Sequence, residues 1–130
     1  MTREFLAKQP DITARYVAAL NQANIEMRDA LAKGGADADV VYAAVGKANG
    51  IDRGAAEQLL KAQPPTTIQT LLSADSPLSF TNKAGLLAQV EQQARIAMEA
   101  EAIKQYPANP QDLIAPRSLL DAALNVKATR

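Results

Sequence analysis

The chain has no cysteine, no histidine and no tryptophan. Without cysteine there is no disulfide, no thiolate nucleophile and no Cys-ligated metal. Without histidine the usual nucleophile–base pairs and most transition-metal sites are gone as well. Aromatic residues make up 4% of the total, and Phe5, Tyr16, Tyr42, Phe80 and Tyr106 are too dispersed to form a base-stacking platform. Fourteen basic and fourteen acidic residues cancel, with Lys and Arg scattered singly from Arg3 to Arg130. That pattern lacks the basic patch nucleic acid requires, so no nucleic-acid partner is expected. There is also no run of about 18 apolar residues, so no membrane insertion is expected. Met1 to Pro10 lacks the apolar stretch of a secretory signal. As written the chain is expected to be cytoplasmic; as a piece of an exported precursor it would be periplasmic.

What remains is a chain of 130 residues that is 48% hydrophobic, a length suited to a single helical domain over 1–130. With few aromatics, its core must come from Leu, Ile, Val and Ala. Alanine has the best intrinsic helix propensity and loses no side-chain entropy on folding, so its abundance favours helix. No segment alternates with a strand's period of two over more than a few positions, and no repeat recurs at periods of about 20 to 50 residues. The fold class is therefore all-α, an irregular bundle of about five helices.

Thr2 can cap a short first turn through Phe5 and Leu6 that Pro10 should end. Asp11 is placed to cap the clearest helix, 12–33, on which Ile12, Tyr16, Leu20, Ala23, Met27 and Leu31 share an apolar face, stopped by Gly34-Gly35. Asp37 or Asp39 starts a second helix, 38–48, ended by the left-handed stop of Asn49-Gly50 with Ile51 as an apolar clasp. Asp52 opens a third, 53–62, closed by Pro64-Pro65, and these two short, tightly linked helices should form a corner. Ile68, Leu71 and Leu72 fit a single helical turn near 67–73. Thr81 or Asn82 caps a long helix, 82–103, with Leu86, Leu87, Val90, Ala94, Ala97 and Met98 on one broad side. Pro107, Pro110 and Pro116 hold the next stretch extended, and Leu119, Leu120, Ala123 and Leu124 fit a final helix, 117–125.

The remaining chemistry is sparse. Glu91, Glu99 and Glu101 are the best carboxylate cluster, but Glu91 and Glu99 lie just over two turns apart with no second acidic helix to complete a cage. A solvated helix face explains them better than a metal site does. Asp11, Asp37 and Asp52 are explained as caps, and the glycines as helix stops. No catalytic residue, cofactor or metal is expected, and the chain is expected not to be an enzyme.

The stretch Phe5-Leu6-Ala7-Lys8-Gln9-Pro10-Asp11, followed by Tyr16-Val17-Ala18-Ala19-Leu20, resembles a passage in periplasmic solute-binding proteins of the nitrate, sulfonate, taurine and thiamine-precursor group of ABC importers. The likeness continues through Ile51-Asp52-Arg53 to Leu60, Pro64-Pro65-Thr66, Thr67 to Leu72, Phe80, Gly85-Leu86-Leu87 and Asp112-Leu113-Ile114. It implies the C-terminal helical part of such a protein without its first lobe, with a transport role and a small organic or anionic ligand. No binding residue carries over. An alternative is a self-associating helical interaction module with no small ligand. Apolar faces that normally lie on a sheet would be exposed in such a piece, and exposed apolar patches tend to find partners. Ile12, Tyr16 and Leu20, or Leu87, Val90 and Ala94, would supply the surface, and a homodimer or a rearranged helical bundle is the expectation.

Overall fold

The structure is a computed structural model that describes residues 3–79, 85–105 and 116–126. Among them lie seven helices and no strand: α1 (Arg3–Lys8), α2 (Pro10–Lys33), α3 (Gly35–Asn49), α4 (Arg53–Ala62), α5 (Ile68–Leu72), α6 (Leu86–Glu99) and α7 (Arg117–Leu124). The all-α class is as expected, and α4 has the expected bounds. The described helices also include a short α1 ahead of the five long ones. The expected Thr2 and Thr81 or Asn82 caps, Phe80, Tyr106, Pro107, Pro110 and Asp112 to Ile114 lie outside the described residues, as does the side chain of Leu87.

Several ends differ from expectation for identifiable reasons. Pro10 does not close α1 so much as open α2, because a first-turn proline gives up an N–H that has no helical partner anyway. The Gln9 N–H donates to the Phe5 carbonyl (2.8 Å) and the Thr13 N–H to the Gln9 carbonyl (3.0 Å), so the helical bonding pattern passes across the join. Asp11 consequently sits inside the first turn of α2, where its charge faces the positive end of the helix dipole instead of capping it. The next helix starts at Gly35, with Gly34 at the cap position and no side-chain cap. Asp37 falls in its first turn.

The stop at Gly50 is as expected: its φ of 66° is left-handed, and both its N–H and that of Ile51 donate to the Gly46 carbonyl. Asp52 then caps α4, its Oδ1 accepting from the Ala55 N–H at 2.8 Å. Helix α6 ends at Glu99 and not at 103. Glu101 adopts a left-handed φ of 55°, its N–H donates to the Met98 carbonyl (2.9 Å) and that of Ala102 to the Ala97 carbonyl (2.8 Å). That pair of bonds is the Schellman closure, here without its customary glycine.

The chain forms two compact units, Met1–Ala18 with Ile68–Arg130, and Ala19–Thr67, the boundary falling inside α2. In the first, Ile68, Leu120 and Ala123 are buried together, with Val17, Ala18, Leu71 and Leu72 packed against them. Residues 73–79 after α5 form turns: Ser76 Oγ accepts from the Leu78 N–H (3.1 Å), the Ser79 carbonyl from the Leu86 N–H (3.0 Å), and the Pro77 carbonyl from Gln89 Nε2 (2.9 Å).

In the second unit α3 and α4 form the expected corner, with Ala38, Val41, Gly46 and Ala56 buried. Asn24 Nδ2 donates to the Thr66 carbonyl at 2.8 Å, fixing the segment after Pro65. Gly46 sets the corner. A Cβ there would lie 2.8 Å from the Ile51 carbonyl oxygen and 3.9 Å from the Ala56 Cβ. Replacing a helical glycine by alanine gains up to about 1 kcal/mol of propensity, but a clash with a fixed backbone atom costs about 1–3 kcal/mol. Gly46→Ala should therefore destabilise the protein and lower Tm in a thermal melt. Gly54→Ala, whose Cβ would meet only an Asp52 carboxylate oxygen at 3.3 Å, should change Tm less. A higher Tm for Gly46→Ala would show that the corner tolerates the methyl.

Candidate functional site

Among the described residues no group of three or more acidic side chains is placed to hold a metal ion. Glu91 and Glu99 lie along α6, and Glu101 belongs to the turn that closes it. Buried side-chain nitrogens and oxygens among the described residues all have partners, so no orphaned polar atom marks a ligand pocket. The charged and apolar surfaces are the remaining candidates.

The apolar positions on α2 divide between an exposed and a buried side. Of the residues on the expected apolar face, Ile12, Tyr16 and Leu20, also named as a first interaction surface, are 54%, 54% and 49% exposed, whereas Thr13 and Ala14 are buried and Val17 and Ala18 pack on the core. Over residues 13–18 the helix therefore turns its smaller residues inward, where small side chains let backbones approach closely. Ile12 and Tyr16 lie on one side of the helix, four residues apart. Phe5 on α1 is 41% exposed as well.

The second expected surface, Leu87, Val90 and Ala94, is placed differently. Ala94 is buried and Val90 half-buried, and both line an apolar groove with Leu86, Ala97, Ile103 and Gln105. Outward apolar side chains on α6 are instead Ile96 and Met98. On α3, Val40 is 70% exposed while its neighbour Val41 is buried.

Sequence reasoning did not single out a charged ladder across the α3–α4 corner. Arg53 Nε donates to Asp39 Oδ1 at 3.0 Å, with Nη2 on the same oxygen. Its Nη1 donates to Glu57 at 3.1 Å, Lys61 Nζ lies 2.9 Å from Glu57, and the guanidinium sits 4.9 Å from the Tyr42 ring centre, within cation–π reach. Arg53, Glu57 and Lys61 recur every four residues, a visible helical signal. Asp39 and Tyr42 join only once the corner is folded.

The hydrogen bond from Lys61, then its charge, and more weakly Arg53 hold the Glu57 carboxyl below the usual carboxylate range. Glu57 in turn raises Lys61, and the bond to Asp39 leads the causes that raise Arg53. These shifts arise within the ladder, which reads as a clasp between two helices and not as a reactive centre.

No family model, no curated protein and no solved structure matches this chain.

A depressed carboxylate stabilises the fold above its unfolded pKa, and that contribution is lost as pH falls through the folded pKa. A raised lysine contributes below its unfolded pKa and loses the contribution as pH rises through its folded one. The Tm difference between the native protein and Glu57→Gln should accordingly be largest near neutrality and close in both acid and alkali. Salt should shrink it, because Arg53 and Lys61 are solvent-exposed and Glu57 is half-buried at the surface. A difference that stays constant with pH would remove the clasp.

Proposed function

We propose that this chain is a non-enzymatic helical interaction module that associates with a second copy of itself through the outward side of α2. The observation that carries the reading is the half-exposure of Ile12 and Tyr16, one turn apart on a helix of 24 residues. Large apolar side chains exposed in series are better covered than solvated, at roughly 25 cal/mol per Å² removed from water. A tyrosine suits such a role, since it combines a large apolar ring with a hydroxyl that tolerates a wet rim.

A two-fold axis crossing α2 would bring the same residues of both copies together, the usual geometry of a homodimer. Sedimentation of the full chain at high micromolar concentration should give a dimer. Ile12→Glu and Tyr16→Glu should each shift it to monomer by at least about tenfold in Kd, as expected when a charge is forced into an apolar contact. A monomer at the highest concentration, or variants that dimerise unchanged, would overturn the proposal.

The transport reading rests on the motif resemblance that runs from Phe5-Leu6 to the Pro64-Pro65 step and beyond. Under it the chain is the C-terminal helical part of a solute-binding protein and takes a small organic or anionic ligand. Any ligand that binds the folded state alone raises Tm by mass action. A thermal-shift screen of sulfonates, nitrate, pyrimidines and amino acids should then yield a concentration-dependent rise with one class. Flat melts with all of them would count against this reading and leave the dimer proposal untouched.

A further inference from the structure

Asn49-Gly50 is the sole Asn-Gly step in the chain, and Asn49 is exposed at the end of α3. A glycine after asparagine leaves its backbone nitrogen unshielded by any Cβ. That nitrogen, once deprotonated, can attack the asparagine Cγ. The N–Cγ bond forms, the bond from Cγ to the side-chain nitrogen breaks, and the nitrogen leaves as ammonia, closing a five-membered succinimide. Water then opens the ring. Breaking the new N–Cγ bond gives aspartate, and breaking the original peptide bond gives isoaspartate, whose main chain runs through the former side chain and is one carbon longer. Nothing is oxidised or reduced, and water is the only co-reactant.

We infer that Asn49 is a site of spontaneous deamidation that the C-terminal cap of α3 holds in check. Three contacts oppose ring closure. Asn49 Nδ2 donates to the Val45 carbonyl at 2.9 Å, directing the amide back along the helix, the way helical side chains lean. The Gly50 N–H, the group that must attack, donates to the Gly46 carbonyl. The Ile51 N–H donates to the same carbonyl at 3.0 Å, so the cap holds on both sides of Gly50. Cγ and the attacking nitrogen are thus directed apart until the cap opens. Local opening of a helix end is far easier than global unfolding, so the reaction is slowed and not abolished. The product damages its own guard: either outcome puts a negative charge at the negative end of α3, and the longer isoaspartyl backbone cannot keep both bonds to Gly46.

The test is a time course of the intact chain at neutral pH and in urea, with peptide mapping by mass spectrometry that separates aspartyl from isoaspartyl products. Conversion at Asn49 should be slower in buffer than in urea by about tenfold or more, the mark of a protecting local structure. Gly46→Ala and Ile51→Ala keep the Asn-Gly step and loosen the cap. Each should speed conversion in buffer while leaving the rate in urea unchanged. Circular dichroism reports whether Gly46→Ala has stayed helical; if it has not, Ile51→Ala carries the comparison. Equal native rates for the folded variants and the parent would overturn the inference. So would equal rates in buffer and urea, or an Asn49 that stays intact in urea.

Discussion

The second unit is organised around one missing methyl group. At Gly46 the backbone of α3 comes so close to the Ile51 carbonyl that a Cβ would be 2.8 Å away, and other features of the corner follow from that approach. The Gly46 carbonyl becomes free to take two N–H donors from the chain that reverses over it. The reversal needs a left-handed residue, which Gly50 supplies. The chain then re-enters a helix within two residues, so Asp52 must cap it. Ala56 is brought under α3 with no exposed surface left, and Arg53 is carried to within reach of Asp39. The charged ladder is thus a consequence of the corner, and its contribution is a surface one.

The first unit meets a different constraint, the lack of large apolar side chains to bury. Its firmly buried apolar residues include Ile68, Leu120 and Ala123, and Thr13 and Ser79 are wholly buried. Buried hydroxyls are tolerable only when bonded. Thr13 meets the condition by donating to the Gln9 carbonyl (2.9 Å), and Ser76 by accepting from the Leu78 N–H. Such groups do little beyond compensating their own desolvation. The apolar cluster therefore contributes most of what stabilises this unit, and a truncation at Ile68 or Leu120 would be felt more than one at any exposed leucine.

These constraints explain which features were legible in the sequence. Element type was legible throughout the described helices, because alanine content and apolar spacing agree. The end at Gly50 and the start at Asp52 were legible because each rests on one residue type with one physical role. The ends that shifted are those where a different residue filled the role. Pro10 acts as a first helical residue as readily as a breaker, and Glu101 takes the left-handed position usually held by glycine. Facing was the least legible property. Periodicity marked Ile12, Tyr16 and Leu20 as one side of α2, but a side rich in large residues and a side of Thr13, Ala14, Val17 and Ala18 both satisfy the same period. Size decides between them only when the distance to the neighbouring backbone is known. The ladder on α4 was half legible, since its four-residue spacing lies in the sequence while its partner Asp39 depends on tertiary structure.

The same preference for small inward residues bears on what the surface is for. A catalytic centre concentrates groups whose titration is displaced by burial or by like charges in a cleft. Among the described residues the displaced groups Arg53, Glu57 and Lys61 are displaced by one another and by Asp39, at the surface, in pairs of opposite charge. The large apolar side chains that the core does not take up, Ile12, Tyr16, Leu20 and Val40 among them, lie outward. A surface of that kind is suited to contact more than to chemistry. Its cost in water is what a second copy of α2 would relieve, and this ties the proposed dimer to the same packing rule that shaped the core.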